Sequence, residues 1–149
     1  MNTKLEAGSS YSVRQLTPDE CIEHVQELAN LLVPAFARGA GEIDVWSSLK
    51  LCALGEMLCF VGDVNGKINA AMITAFTTYP NMKVCDVVAY AGRARDFYWF
   101  NQDLEDWASR NGASEMRGYG SEATMRLACK HGYEEVYRVY KKPLRKEAE

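Results

Sequence analysis

The dipeptide Asn65-Gly66 constrains this chain more than any other part of it, because it fixes how two apolar runs must meet. A two-residue hairpin loop needs positive φ at both central positions, and Asn followed by Gly supplies them at little steric cost. Residues 57–63 and 68–78, on either side, carry Val, Ile, Phe and Thr and are predicted to pair as antiparallel strands. Tyr79-Pro80-Asn81 makes a second turn, and the valine-rich stretch 83–90 makes a third strand. The centre of the chain is thus an antiparallel meander.

Helical signals flank it. Thr17-Pro18-Asp19-Glu20 reads as a helix start, with Thr17 as cap, Pro18 at the first helical position and Glu20 completing a capping box. Ile22, Val25, Leu28, Ala29 and Leu32 recur at intervals of three and four, and Pro34 with the stretch 38–41 ends or kinks that helix. Asp44 caps a second helix carrying Trp46, Leu49 and Ala53, which closes near Gly55. Residues 96–111 hold Phe97, Phe100, Leu104, Trp107 and Ala108 at helical spacing, with Gly112 suited to the C′ position. A strand at 115–119, a helix capped by Ser121 with Met125 and Ala128 inward and stopped by Gly132, and a last strand at 134–141 complete the chain. With an edge strand at 12–16, the predicted order is β-α-α-β-β-β-α-β-α-β. That order describes an α/β (α+β) fold with a mixed central sheet of about six strands and four helices. A length of 149 residues suits one domain, and residues 1–10 and 145–149 are expected to be flexible.

Composition excludes several classes of function. The chain is 48% hydrophobic and 25% charged, the balance of a globular protein. No apolar run approaches the roughly 20 residues of a membrane span, and residues 1–10 lack the apolar core of a signal peptide, so a cytoplasmic location is expected. The five cysteines are odd in number and form no Cys-x-x-Cys pair, which predicts buried thiols in a reducing compartment and no zinc site. A net charge of -3 gives no electrostatic support for a nucleic-acid partner. The two histidines, His24 and His131, signal no Ser-His-Asp or Cys-His arrangement; neither a Gly-x-x-x-x-Gly-Lys loop nor a His-Glu-x-x-His helix occurs. No metal is expected.

The order of elements, the run of residues 105–113, the ending Lys130-His131-Gly132-Tyr133 and the turn Gly92-Arg93-Ala94-Arg95 together resemble the GNAT acetyltransferases over residues 12–144. The chain is also similar to small GNAT-like proteins of tailed bacteriophages, in which a Gly-basic-Ala-basic turn opens the same helix. A helix N-terminus presents unpaired N–H groups and the positive end of the helix dipole, so it holds anions without a side chain. The resemblance implies that Gly92, Arg93, Ala94 and Arg95 bind the diphosphate of acetyl-CoA, and that the peptide groups of Val87, Val88, Ala89 and Tyr90 pair with its pantetheine arm where two strands splay. It further implies that the Ser121 hydroxyl reaches the cofactor. Three positions depart from the family pattern: Ala89 stands where Gln or Arg is expected, Ser121 where Asn is common, and Ala128 where a catalytic Tyr is often found.

The implied activity is transfer of an acyl group, chiefly acetyl, from acetyl-CoA to an amine of a small molecule or protein. Such a reaction needs a neutral amine, a polarised carbonyl and an acid for the leaving thiolate. Tyr119, Tyr90 and Cys129 are candidate acids, and Asp86 and Glu56 candidate bases. Each has a structural use as well: tyrosines at strand ends pack, and carboxylates sit on surfaces. Glu42 and Asp44 beside Trp46 offer an acidic setting for a cationic acceptor. The alternative is a catalytically degenerate GNAT-fold protein, of phage origin, that acts by binding a host or virion protein. A homodimer through strand six and the final helix is implied by the family likeness.

Overall fold

The Asn65-Gly66 turn forms with φ of 51° and 81° at its two positions, as a two-residue hairpin loop requires. The computed structural model describes residues 2–6, 9–39 and 41–146, and for 2–6, 9, 10, 94 and 95 it describes the backbone alone. In chain order the elements are β1 (Asn2–Glu6), β2 (Ser9–Gln15), α1 (Pro18–Glu23), α2 (Val25–Ala37), α3 (Val45–Ala53), β3 (Leu58–Val64), β4 (Lys67–Tyr79), β5 (Met82–Ala91), α4 (Ala94–Arg110), β6 (Glu115–Gly118) and α5 (Glu122–Cys129). The six strands form one sheet in the order β1-β2-β3-β4-β5-β6. Every neighbouring pair is antiparallel except β5 and β6, which run parallel because α4 crosses between them.

Each face of the sheet carries its own core. On one face Leu28, Leu32, Leu49 and Cys52 from the first three helices pack on Cys59, Val61, Ile73 and Ala89. On the other, Phe100 and Leu104 of α4 pack on Tyr11, Phe60, Ala70 and Met72. Full burial of such side chains contributes roughly 1.5–3 kcal/mol apiece. Arg14 ties β2 to the rest: it donates to Asp63 on β3 at 2.8 Å and to Glu20 at 2.9 Å, while Glu20 also accepts from the Thr17 N–H in the capping box.

Several expectations are corrected. The helix predicted from Pro18 breaks at His24 (φ -99°, ψ 15°) into α1 and α2, which rotates Ile22 out to solvent while Leu28, Ala29 and Leu32 stay buried. Pro34 does not end α2, which runs on to Ala37. On α3 the buried face is Val45, Ser48, Leu49 and Cys52, leaving Trp46 exposed. Residues 2–6 of the terminus expected to be flexible form β1, and α4 begins two residues before Asp96. Met125 and Ala128 are only half-buried. Four cysteines are buried thiols, but Cys129 is exposed. The strand predicted at 134–141 does not form: residues 133–146 have no regular structure, because no strand of the sheet takes up their peptide groups among the described residues. Residues 1, 7, 8 and 147–149 of the two predicted flexible ends, and Ala40 of the stretch 38–41, lie outside the described residues.

Gly62, at the centre of β3 and paired with Val13, makes the second core possible. A Cβ there would lie 2.7 Å from Cζ of Tyr11 and 2.9 Å from Cε2 of Phe100, two rings already in edge contact at 6.1 Å between centroids. Overpacking of this kind costs about 1–3 kcal/mol. Gly62→Ala is therefore expected to lower the urea midpoint by that amount of stability, whereas Gly118→Ala, where a Cβ would meet nothing within 4 Å, leaves it nearly unchanged; equal midpoints for the two variants would contradict this account of the core.

Candidate active site

The pairing of β5 differs on its two sides. Against β4 it is paired from Met82 to Ala91, with one extra residue: Ile73 faces Ala89 and Thr74 faces Val87, so Val88 is bulged. Against β6 it is paired only from Val84 to Val87, opposite Glu115 to Gly118. Beyond Val87 that edge of β5 has no strand partner among the described residues. A bulge sharpens local twist and releases peptide groups from the ladder, and the two parallel strands part directly after it. Val87 packs on the α4 side of the sheet, whereas Val88 and Ala89 both pack on the side of α2.

The turn that follows opens α4. Arg93 is its N-cap residue, extended at φ -77° and ψ 152°, and makes no side-chain capping bond. The Arg93 carbonyl accepts from the N–H groups of Asp96 at 3.1 Å and Phe97 at 3.2 Å, and the positive end of the helix dipole lies at this turn. Arg93 is exposed; the side chains of Ala94 and Arg95 lie outside the described part of the structure. Tyr90 buttresses the turn from below, donating from Oη to the Arg93 carbonyl at 2.8 Å with its ring edge-on to Phe97 and Phe100. Burial, then the nearby Asp96 carboxylate, raise the Tyr90 pKa, so its proton stays on the bond to Arg93. Gly92 sits at φ 154°, and a Cβ there would lie 2.6 Å from Tyr90 Oη and 2.8 Å from Ala70 Cβ. The glycine therefore has a packing reason for being where it is. Asp96, in the first turn of α4, is buried.

Two of the predicted catalytic residues come together where the strands part. Asp86, on β5, is 9% exposed and accepts from Tyr119 Oη at 3.1 Å and from Thr77 Oγ1 at 2.5 Å. Tyr119 is the first residue after the paired Gly118, so it stands at the mouth of the gap with its ring 58% exposed and only its hydroxyl end drawn in. Burial of that hydroxyl, with the Asp86 charge and hydrogen bond beside it, pushes its pKa up to about 12. Arg117 borders the pair, bonded to Glu115 at 3.3 Å and lying over the Tyr79 ring at 5.7 Å.

The other candidates lie elsewhere. Ser121 caps α5, its Oγ accepting from the Thr124 N–H at 3.3 Å and lying 3.2 Å from Thr124 Oγ1. Cys129 is exposed at the last residue of α5, and Glu56 is exposed in the turn between α3 and β3. Asp44 spends one carboxylate oxygen on the Ser47 N–H at 2.7 Å, with Glu42 exposed nearby in sequence. A cavity of about 320 Å³ lined by Leu16, Pro18, Cys52, Gly55 and Met57 contains none of the predicted site residues. Among the described residues no group of three or more His, Cys, Asp or Glu is placed to hold a metal ion, and no helix is long and apolar enough to cross a membrane. Thr77, Tyr79 and Arg117 belong to the cluster and were not anticipated. The two-residue turn at Pro80-Asn81 carries the signal for Thr77, because it sets Ala75 opposite Asp86 and so makes Thr77 its diagonal neighbour.

No family model matches the sequence, and no curated protein matches it. Solved structures do. The aminoglycoside N-acetyltransferase AAC(6')-Iy in complex with CoA superposes at a TM-score of 0.70 with 18% identity, over 96% of this chain and 99% of that one. An aminoglycoside acetyltransferase from an uncultured soil metagenomic sample, in complex with sisomicin, gives 0.68 with 14% identity over 91% and 97%. A protein from Clostridium acetobutylicum described as a predicted acetyltransferase, with acetyl-CoA, gives 0.64 with 12% identity over 89% and 96%. At these identities the likeness is one of fold: the chain has the α+β fold of the GNAT acetyltransferases.

The Asp86–Tyr119 contact makes a prediction of its own. In a spectrophotometric titration at 295 nm, Asp86→Asn should move the Tyr119 transition down from about 12 toward the ordinary phenol value of about 10, since the carboxylate that opposes ionisation is gone while burial remains. Tyr119→Phe should delete that transition and identify it. An unchanged titration in Asp86→Asn would show that the two groups do not meet.

Proposed function

We propose that this chain is an acetyl-CoA-dependent N-acetyltransferase acting on an amine that is cationic at neutral pH. The observation that carries the reading is the coincidence of three features along β5: the Asp86–Tyr119 pair, the edge without a strand partner after the Val88 bulge, and the N-terminus of α4, where Arg93 makes no side-chain cap. Solved neighbours of the same fold hold CoA and acetyl-CoA. In this reading the peptide groups of Val87, Val88, Ala89 and Tyr90 receive the pantetheine arm, the turn from Gly92 through Arg95 takes the diphosphate, and Ser121 borders the donor. Two neighbours are named for aminoglycosides, so an amino sugar or polyamine heads the list of acceptors to try.

The hydrogen bond between Tyr119 and Asp86 supports one route for the protons. The phenol already donates to the carboxylate, so its lone pairs face the gap and can accept from an approaching ammonium group. The ammonium nitrogen first gives one proton through Tyr119 toward Asp86; the neutral amine nitrogen then bonds to the thioester carbonyl carbon, the C–S bond breaks with its electron pair going to sulfur, and the second proton leaves nitrogen to water. A simple thiol ionises near about 8.5, well below Tyr119, so sulfur leaves as a thiolate more readily than it takes the Tyr119 proton. Tyr119 is therefore a relay and positioning group on the base side, and Cys129 is assigned no step.

Titration calorimetry with CoA and acetyl-CoA tests the donor half of this reading, and thiol release over a panel of aminoglycosides, polyamines and lysine peptides tests the acceptor half. Arg93→Ala should weaken CoA by about tenfold or less, as expected for an exposed charge-assisted contact. Asp86→Asn should leave CoA affinity unchanged and slow turnover by roughly 100-fold or more. Absence of any binding heat with either ligand would rule the proposal out. Binding without thiol release over the whole panel would favour the second reading, a degenerate scaffold, for which Ala89, Ser121 and Ala128 already speak.

A further inference from the structure

Three of the buried cysteines meet. Cys21 on α1, Cys52 on α3 and Cys59 on β3 belong to one core cluster, whereas Cys85 on β5 is not part of it. The backbone holds them there: the Leu16 N–H, just before α1, donates to the Cys59 carbonyl at 2.9 Å, and α1 packs on α3. The Cys21 sulfur accepts from the thiols of both Cys52 and Cys59, which lowers its pKa and keeps the protons on the other two. Within the trio, Cys21 therefore carries the thiolate character.

One of the three can be reached. The cavity of about 320 Å³ between the start of α1 and the end of α3 has Thr17, Pro18 and Gly55 exposed at its rim and Leu16 and Cys52 as buried walls. A water takes up roughly 30 Å³ in the liquid, so a small neutral molecule such as hydrogen peroxide fits with room to spare. Cys59 is more firmly held than the other two, because its thiol faces the Phe60 carbonyl at 4.0 Å and its backbone is paired with Ile73 of β4. Cys21 is freer to move: α1 has only six residues, and the chain breaks at His24. That freedom matters, since sulfurs in hydrogen-bond contact must close to about 2.05 Å to bond.

We propose that Cys52 and Cys21 are a peroxide-reactive dithiol, in which Cys52 meets the oxidant in the cavity and Cys21 resolves it, closing a disulfide from α3 to α1. Cys52 hands its proton to the Cys21 thiolate along their hydrogen bond, and its sulfur bonds to one peroxide oxygen as the O–O bond breaks. The departing hydroxide takes the proton back from Cys21 as water, and Cys52 is left as a sulfenic acid. The restored Cys21 thiolate bonds to the Cys52 sulfur as the S–O bond breaks. That second hydroxide becomes water with the proton Cys21 gave up on ionising. Two thiols thus lose two electrons, and one peroxide becomes two waters. A dithiol reductant reverses the step. The inference stands apart from acetyl transfer and does not rest on it.

Peptide mapping tests it: the folded chain is exposed to hydrogen peroxide, blocked with iodoacetamide in denaturant and digested without reduction. A peptide pair joined through Cys21 and Cys52, and lost on treatment with dithiothreitol, is expected from the unaltered chain and equally from Cys129→Ser, which removes the exposed thiol. Without peroxide, iodoacetamide should modify Cys52 in the folded chain about tenfold or more faster than Cys85, which is comparably buried but does not line the cavity. Cys21→Ser removes the resolving thiol, so dimedone should capture the sulfenic acid at Cys52. The map of the unaltered chain decides the pairing whether or not that variant folds. Oxidation confined to Cys129, a link through Cys59 in place of Cys52, equal reaction of Cys52 and Cys85, or a folded Cys21→Ser chain that takes up no dimedone would each overturn the proposal.

Discussion

The antiparallel pairing of β5 with β4, continuous from Met82 to Ala91 except for the extra residue at Val88, decides where the rest of the candidate site can be. Before the bulge, β5 is held on both sides, by β4 and by β6, and Asp86 lies buried between them with its charge met by Thr77 and Tyr119. After the bulge only β4 holds it, and the strand runs on by itself to the turn that opens α4. A buried carboxylate needs donors close by, and an open strand edge needs either water or a ligand. The first condition is met in the regular register before the bulge, and the second begins at it. Had β5 remained regular, Ala89 and Val88 would face opposite sides of the sheet, and the core against α2 would lose one of them.

Much of the architecture is legible in short-range chemistry. The Asn65-Gly66 turn, the Thr17–Glu20 capping box, the Asp44 cap and the apolar spacing of α4 are each decided by residues within a turn or two of one another, and each is found as read. What local chemistry does not contain is the choice between competing neighbours. Ile22 and Trp46 satisfy helical periodicity but are left exposed, Ile22 because the chain breaks at His24 and Trp46 because Val45 and Leu49 already fill the contact with α2. Residues 134–141 have the alternation of a strand and no strand beside them, since strand propensity says that a segment will pair and not with what. In the candidate site, Asp86 and Tyr119 were nameable from their residue types, but their 3.1 Å contact depends on the parallel register of β5 and β6, which α4 sets across a long connection.

The turn at Gly92 shows how one residue can satisfy a family pattern for a reason unrelated to a ligand. Its missing side chain makes room for the Tyr90 hydroxyl and for Ala70, so the glycine would be required here even if nothing ever bound. Ala89, where the pattern calls for Gln or Arg, is 9% exposed and packs toward α2, so the small side chain suits a core position and offers no charge to a diphosphate. Arg93 is exposed at this turn, and Asp96 is buried in the first turn of α4 that follows it. The open edge of β5 therefore offers unpaired peptide groups that need no charge to be met, whereas the glycine of the Gly92-Arg93-Ala94-Arg95 turn is already accounted for by packing.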